Sequence, residues 1–183
     1  MQIAFPSVLA AFTALFVSSL AGQAGAGVAG AVMVTVAPPL AEALAPPPSL
    51  EAQVAAKVTE PESLDAGTEC MAKAVQHEAA NQSLEGQLAV AQLILNRTQD
   101  DRFPKTICGV VNQPHQFVHI TGYRAPRQDP RWAVAVAVSR IAQQGMAEAV
   151  APGALFFHAA YVHPTWRRKR ERIARIGAHI FYR

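Results

Sequence analysis

Charge is missing from the first 41 residues of this 183-residue chain, and cations stay scarce well beyond them. Residues 1–69 hold one cation, Lys57, and six acids, whereas residues 70–183 hold 15 cations and 7 acids, so a net −5 precedes a net +8. Cysteine is nearly absent as well. Two cysteines, Cys70 and Cys108, do not make a zinc site by themselves. None of the six histidines belongs to a His-Glu-x-x-His signature, the pattern that aligns two ligands on one helical face. No phosphate-cradling glycine loop, no Ser/His/Asp nucleophile set and no internal repeat stands out. These absences argue against metal, phosphate-loop and triad chemistry, and the reading includes no metal and no cofactor.

The uncharged opening has its own meaning. Ile3 to Leu20 is apolar, and Ala24-Gly25-Ala26 is a small-x-small site of the kind a signal peptidase cuts. A membrane anchor is the rival reading, because the apolar stretch is about as long as the ~17–25 residues that span a bilayer. A disordered alanine-rich leader is the third. Export to the periplasm or cell envelope, with or without a tether to the inner membrane, is the expectation. Residues 1–26 are assigned to the signal peptide or anchor. Residues 27–67, with Pro38-Pro39 and Pro46-Pro47-Pro48 among many alanines, read as an extended and poorly packed linker. A folded domain is expected over 68–183. In an exported chain Cys70 and Cys108 would join, although two free buried thiols remain open.

Within 68–183 the pattern predicts a first helix from Glu69 to Ala80. A break follows at Asn81-Gln82-Ser83, with Ser83 as N-cap of a second helix from Leu84 to Thr98. The second helix is apolar nearly all round and should be the central buried one. One helical turn is expected between Phe103 and Val111, then an irregular loop from Pro114 to Pro126. Asp129-Pro130 is a helix start, Asp at the N-cap and Pro at the first helical position. Ala154 to His158 and His179 to Tyr182 read as short aromatic strands. The fold class is α+β, mainly α.

Glu78 carries the chemistry. Met71, Ala74 and Val75 sit at i, i+3 and i+4 of one helical face, and Glu78 is the i+7 position. A carboxylate on a core-facing stripe is costly unless it is paired, metal-bound or protonated. A carboxyl held protonated by an apolar wall is what a general acid requires. A surface glutamate at a fraying helix end is the plain alternative.

Other features have structural explanations. His115 and His119 are four apart in a loop, and His158 and His163 five apart at a strand end; His158 reads as a cleft-lining or core-satisfied side chain. Asn96-Arg97-Thr98 matches a glycosylation sequon but lies in a helix expected to be buried, so Asn96 is read as capping or crosslinking the core. Arg167, Arg168, Lys169, Arg170, Arg172 and Arg175 form a basic run whose plain reading is a solvated face, and whose functional reading is a rim facing an acidic polymer.

A set of short motifs, in order, resembles the SleB/CwlJ-type cell-wall hydrolases, which include spore-cortex-lytic enzymes. They are Glu78-Ala79, Glu85-Gly86-Gln87, Asn96-Arg97, Phe103-Pro104, Cys108-Gly109-Val110-Val111, Gln116-Phe117, Phe157-His158, Trp166 and Gly177-x-His179-x-Phe181-Tyr182-Arg183. The resemblance covers about residues 70–183. It implies a small lysozyme-like or lytic-transglycosylase-like domain that cleaves peptidoglycan; a short antiparallel sheet, a monomeric state and no nucleic-acid partner are the accompanying expectations. It carries the family's catalytic glutamate onto Glu78 and makes Gln116, Phe117, Phe157, His158 and Tyr182 expected substrate-binding residues. A non-catalytic glycan-binding or envelope-structural domain and an N-acetylmuramoyl amidase are the rival functions.

Overall fold

The computed structural model describes residues 46–60, 63–117 and 120–183. The apolar opening segment, its cleavage site and His119 lie outside them.

Among the described residues, five α-helices and three strands are arranged in the order α1 (Leu50–Val58), α2 (Ala66–Ala79), α3 (Leu84–Gln99), α4 (Ile107–Val111), α5 (Pro130–Gln143), β1 (Phe156–Ala159), β2 (Arg172–Ile176) and β3 (His179–Tyr182). Local chemistry sets the helix starts. Asp65 caps α2 by accepting from Thr68 N–H at 2.9 Å, Ser83 caps α3 through Gly86 N–H, and Asp129 caps α5 with Pro130 at its first position. α3 is the central helix: Leu88, Val90, Leu93 and Ile94 are fully or almost fully buried, and α2, α4 and α5 pack around it. Trp132, Val138 and Ile141 of α5 and Met71 and Val75 of α2 complete the core.

One expectation is corrected here. Residues 50–58 fall within the stretch read as linker, yet they form α1, and the compact unit begins at Pro46 rather than near Thr68. Ser49 caps the helix by accepting from Ala52 N–H, and Val54 is buried as α1 packs against α5. Alanine is the best helix former, so a composition that looks featureless becomes helical once one face finds a partner. Helix α2 also begins earlier than its pattern indicates, at the Asp65 cap.

The strands form one antiparallel sheet in the order β1–β3–β2. β3 lies in the middle and all four of its residues are buried. Polar side chains of α3 fasten the approach to β1. Gln92 bonds Glu148 O and Val150 N–H, Asn96 donates to Ala154 O at 3.0 Å, and Arg97 Nε donates to Leu155 O at 2.8 Å. Asn96 therefore does crosslink the core. The disulfide Cys70–Cys108 ties α2 to α4, with 5.3 Å between the Cα atoms.

Candidate active site

A cleft of about 620 Å³ opens where the end of α2, the α2–α3 turn, the loop after α4 and the sheet meet. Glu78, Asn81 and Gln82 form one side. Phe156, Phe157, His158, Ala159, Tyr161 and Trp166 form the other, with His115, Gln116, Ala178, His179 and Arg97 completing the lining. All four residues of the edge strand β1 contact the cleft.

Glu78 sits one residue before the end of α2, where the stripe that buries Met71, Ala74 and Val75 emerges from the core. Its side chain is 22% exposed, and Oε1 is hydrogen-bonded with His77 Nδ1 at 2.9 Å. Of the ways to accommodate a carboxylate on that stripe, the fold uses pairing and partial solvation. Oε2 makes no hydrogen bond among the described residues. Tyr123 packs edge-on against His77 at 4.8 Å and fixes the imidazole that holds Glu78. Among the described residues of the cleft lining, Glu78 is the only carboxylate.

The aromatic wall is held from behind. His158 Nδ1 faces Ala159 O at 2.9 Å and its Nε2 faces the Tyr182 hydroxyl at 3.0 Å. A carbonyl only accepts, so Nδ1 carries the proton, and in the neutral ring Nε2 accepts from Tyr182. Trp166 packs edge-on against both His158 and Tyr182, and Phe157 stacks on Phe181. His179 is buried between the Phe157 and Phe181 rings. Its Nδ1 has no partner, and burial pulls its pKa below the usual 6.5.

Gln116, Phe157 and His158 line the cleft with Glu78. Phe117 and Tyr182 do not. Both are buried, at 4% exposure each, and support the wall from the core side. Arg97 and His179 also line the cleft, from within the Asn96-Arg97 and Gly177–Arg183 motifs. A charged residue within an apolar helix was the available signal for Arg97, which is only 3% exposed. No three His, Cys, Asp or Glu side chains among the described residues converge as metal ligands.

Residues 81–182 match the family model for cell wall hydrolases, and the chain belongs to that family. Glu78 lies just before the matched stretch. The spore cortex-lytic enzymes of Oceanobacillus iheyensis and Bacillus subtilis are 34% and 33% identical over 114 residues, covering 61% of this chain and 39% and 35% of theirs. The chain thus spans little more than a third of the length of these relatives. Among solved structures, the catalytic domain of the germination-specific lytic transglycosylase SleB from Bacillus anthracis superposes with a TM-score of 0.57 at 29% identity. That match covers 68% of this chain and all of the other. The SleB catalytic domain of Bacillus cereus gives 0.52 at the same identity, over 67% of this chain and 94% of that one. The α-rich α+β architecture is that of these catalytic domains.

Proposed function

We propose that this domain cleaves the glycan strands of peptidoglycan as a lytic transglycosylase, with Glu78 as the single acid and base. The observation that carries this reading is that Glu78 is the lone carboxylate among the described residues lining an aromatic-walled cleft. Hydrolytic glycosidases need two carboxylates, one to protonate the leaving oxygen and one to attack or to activate water. Glu78 protonates the glycosidic oxygen, then takes the proton of the muramic acid 6-hydroxyl as that oxygen closes an anhydro ring. The acceptor is internal, so no second base is required. Phe156, Phe157 and Trp166 give the cleft an apolar wall for sugar rings, and Asn81, Gln82 and Gln116 offer amides to their hydroxyls. Action on the wall requires export, and a chain that carries a disulfide fits an oxidising compartment.

The test is mass spectrometry of fragments released from purified sacculi by the wild type and by Glu78→Gln. Anhydromuramoyl ends from the wild type, and none from the variant, are expected. Reducing ends would mean hydrolysis, and released stem peptides an amidase. Binding without release would mark a non-catalytic glycan-binding domain.

A further inference from the structure

Among the described residues of the cleft lining, Arg97 is the one Lys or Arg, and it is out of place there by ordinary rules. Its guanidinium is buried without an ion pair. Rings of Phe103, Phe117 and Phe156 surround it, with their centroids 5.0, 5.5 and 5.8 Å from Cζ. These rings soften the cost of the charge but accept no conventional hydrogen bond. Nε is satisfied by Leu155 O, whereas Nη1 is buried with no partner at all. A buried donor on a charged group is expensive to leave unmade, so it marks a place where an acceptor arrives from outside the fold. The mechanism above makes no use of it.

We infer that Arg97 is a substrate-binding residue that receives an N-acetyl carbonyl oxygen of the glycan and so makes the cleft selective for acetamido sugars. The inference rests on the cleft being the glycan site proposed above. Depth decides which substrate group reaches Arg97. Stem-peptide carboxylates are tethered well away from the sugar ring and meet the exposed rim, while only a short substituent borne directly on the ring descends to a residue 3% exposed. A neutral carbonyl accepts a charge-assisted hydrogen bond from guanidinium without bringing a second charge into the interior. A sugar with hydroxyl in place of acetamido leaves Nη1 unpaired.

The experiment is calorimetric binding of two neutral hexasaccharides, chitohexaose and cellohexaose, which differ only in acetamido against hydroxyl at C2. The full chain is used as wild type, Arg97→Met and Arg97→Lys. The wild type should prefer chitohexaose roughly 10- to 100-fold, the usual penalty for a charged donor left without its acceptor. Arg97→Met should bring the two affinities to within about threefold of each other. Equal binding of both sugars by the wild type, or none, overturns the inference. So does a folded Arg97→Met that keeps the wild-type ratio. If the methionine variant fails to fold, Arg97→Lys decides: it keeps the charge but not the Nη1 donor, and an undiminished ratio overturns the inference. Sacculus cleavage measured alongside separates the two proposals. Discrimination without cleavage sinks the reaction alone, and cleavage without discrimination sinks the role of Arg97 alone.

Discussion

The amide N–H of Ala178 donates to Oε1 of Gln82 at 2.9 Å, joining residues 96 positions apart. This bond latches the β2–β3 turn to the α2–α3 turn, and both residues line the cleft. The turn requires Gly177 in the left-handed region, at φ 54°, and a Cβ placed there would lie 2.7 Å from the same Gln82 oxygen.

Gly177→Ala should therefore destabilise the domain twice over, by backbone strain of about 1–2 kcal/mol and by displacing Gln82 from the latch. Adding Gln82→Ala should recover the part due to the collision and leave the strain. Urea denaturation of the four members of that cycle checks this; purely additive effects would show that the latch is not strained by the new methyl group.

Reducing the Cys70–Cys108 bridge, or replacing both residues by serine, should lower stability by roughly 2–4 kcal/mol, since the bridge closes a loop of 38 residues. Neither sulfur lines the cleft, so turnover well below the melting temperature should persist. Thermal melts with and without reductant read the first effect, and sacculus clearance the second.

His179 gives the fold a pH dependence of defined sign. Its folded pKa lies below 6.5 because burial disfavours the imidazolium. Between the lowered value and 6.5 the unfolded chain binds a proton that the folded chain refuses, so stability falls as pH drops through that window. Above 6.5 the residue adds nothing to the slope. His179→Gln should flatten the acid side of a stability-against-pH curve, by at most about 1.4 kcal/mol per pH unit. An unchanged slope would remove His179 as the source.

Tyr182→Phe should leave His158 Nε2 without its donor and cost about 1–2 kcal/mol. Nitrogen chemical shifts of the imidazole should report the Nδ1–H tautomer in the wild type. The opposite tautomer would mean that Ala159 O is not its partner.

Arg168, Arg172 and Arg175 are exposed on the segment that follows Trp166, whose ring lines the cleft. Exposed rim charges speed encounter and are screened over about 8 Å at physiological salt. Replacing all three by glutamine should raise KM for intact sacculi at low salt and change kcat little. Wild-type kinetics at both low and high salt would assign these arginines to a solvated face.

The sequence by itself determined what short-range chemistry controls. The Ser83 and Asp129-Pro130 caps place two helix starts to the residue, because a cap depends on atoms two or three residues away. The apolar encirclement of α3 marks it as central, and the Met71–Val75 stripe brings Glu78 to the edge of the core. Tertiary structure decided the rest. Residues 50–58 read as linker because alanine composition carries no direction; only the surface of α5 tells Val54 which way to face. Likewise Phe117 and Phe157 are both aromatic and in short motifs, yet Phe157 lines the cleft and Phe117 backs it. That difference is set by β1 lying at the sheet edge and by the packing behind it. Arg97 depends on a carbonyl 58 residues away, and a hydrogen bond over that separation has no local pattern. Local sequence therefore places a carboxylate at a helix end, and only the packing of helices against the sheet turns that end into a cleft that also holds the buried Arg97.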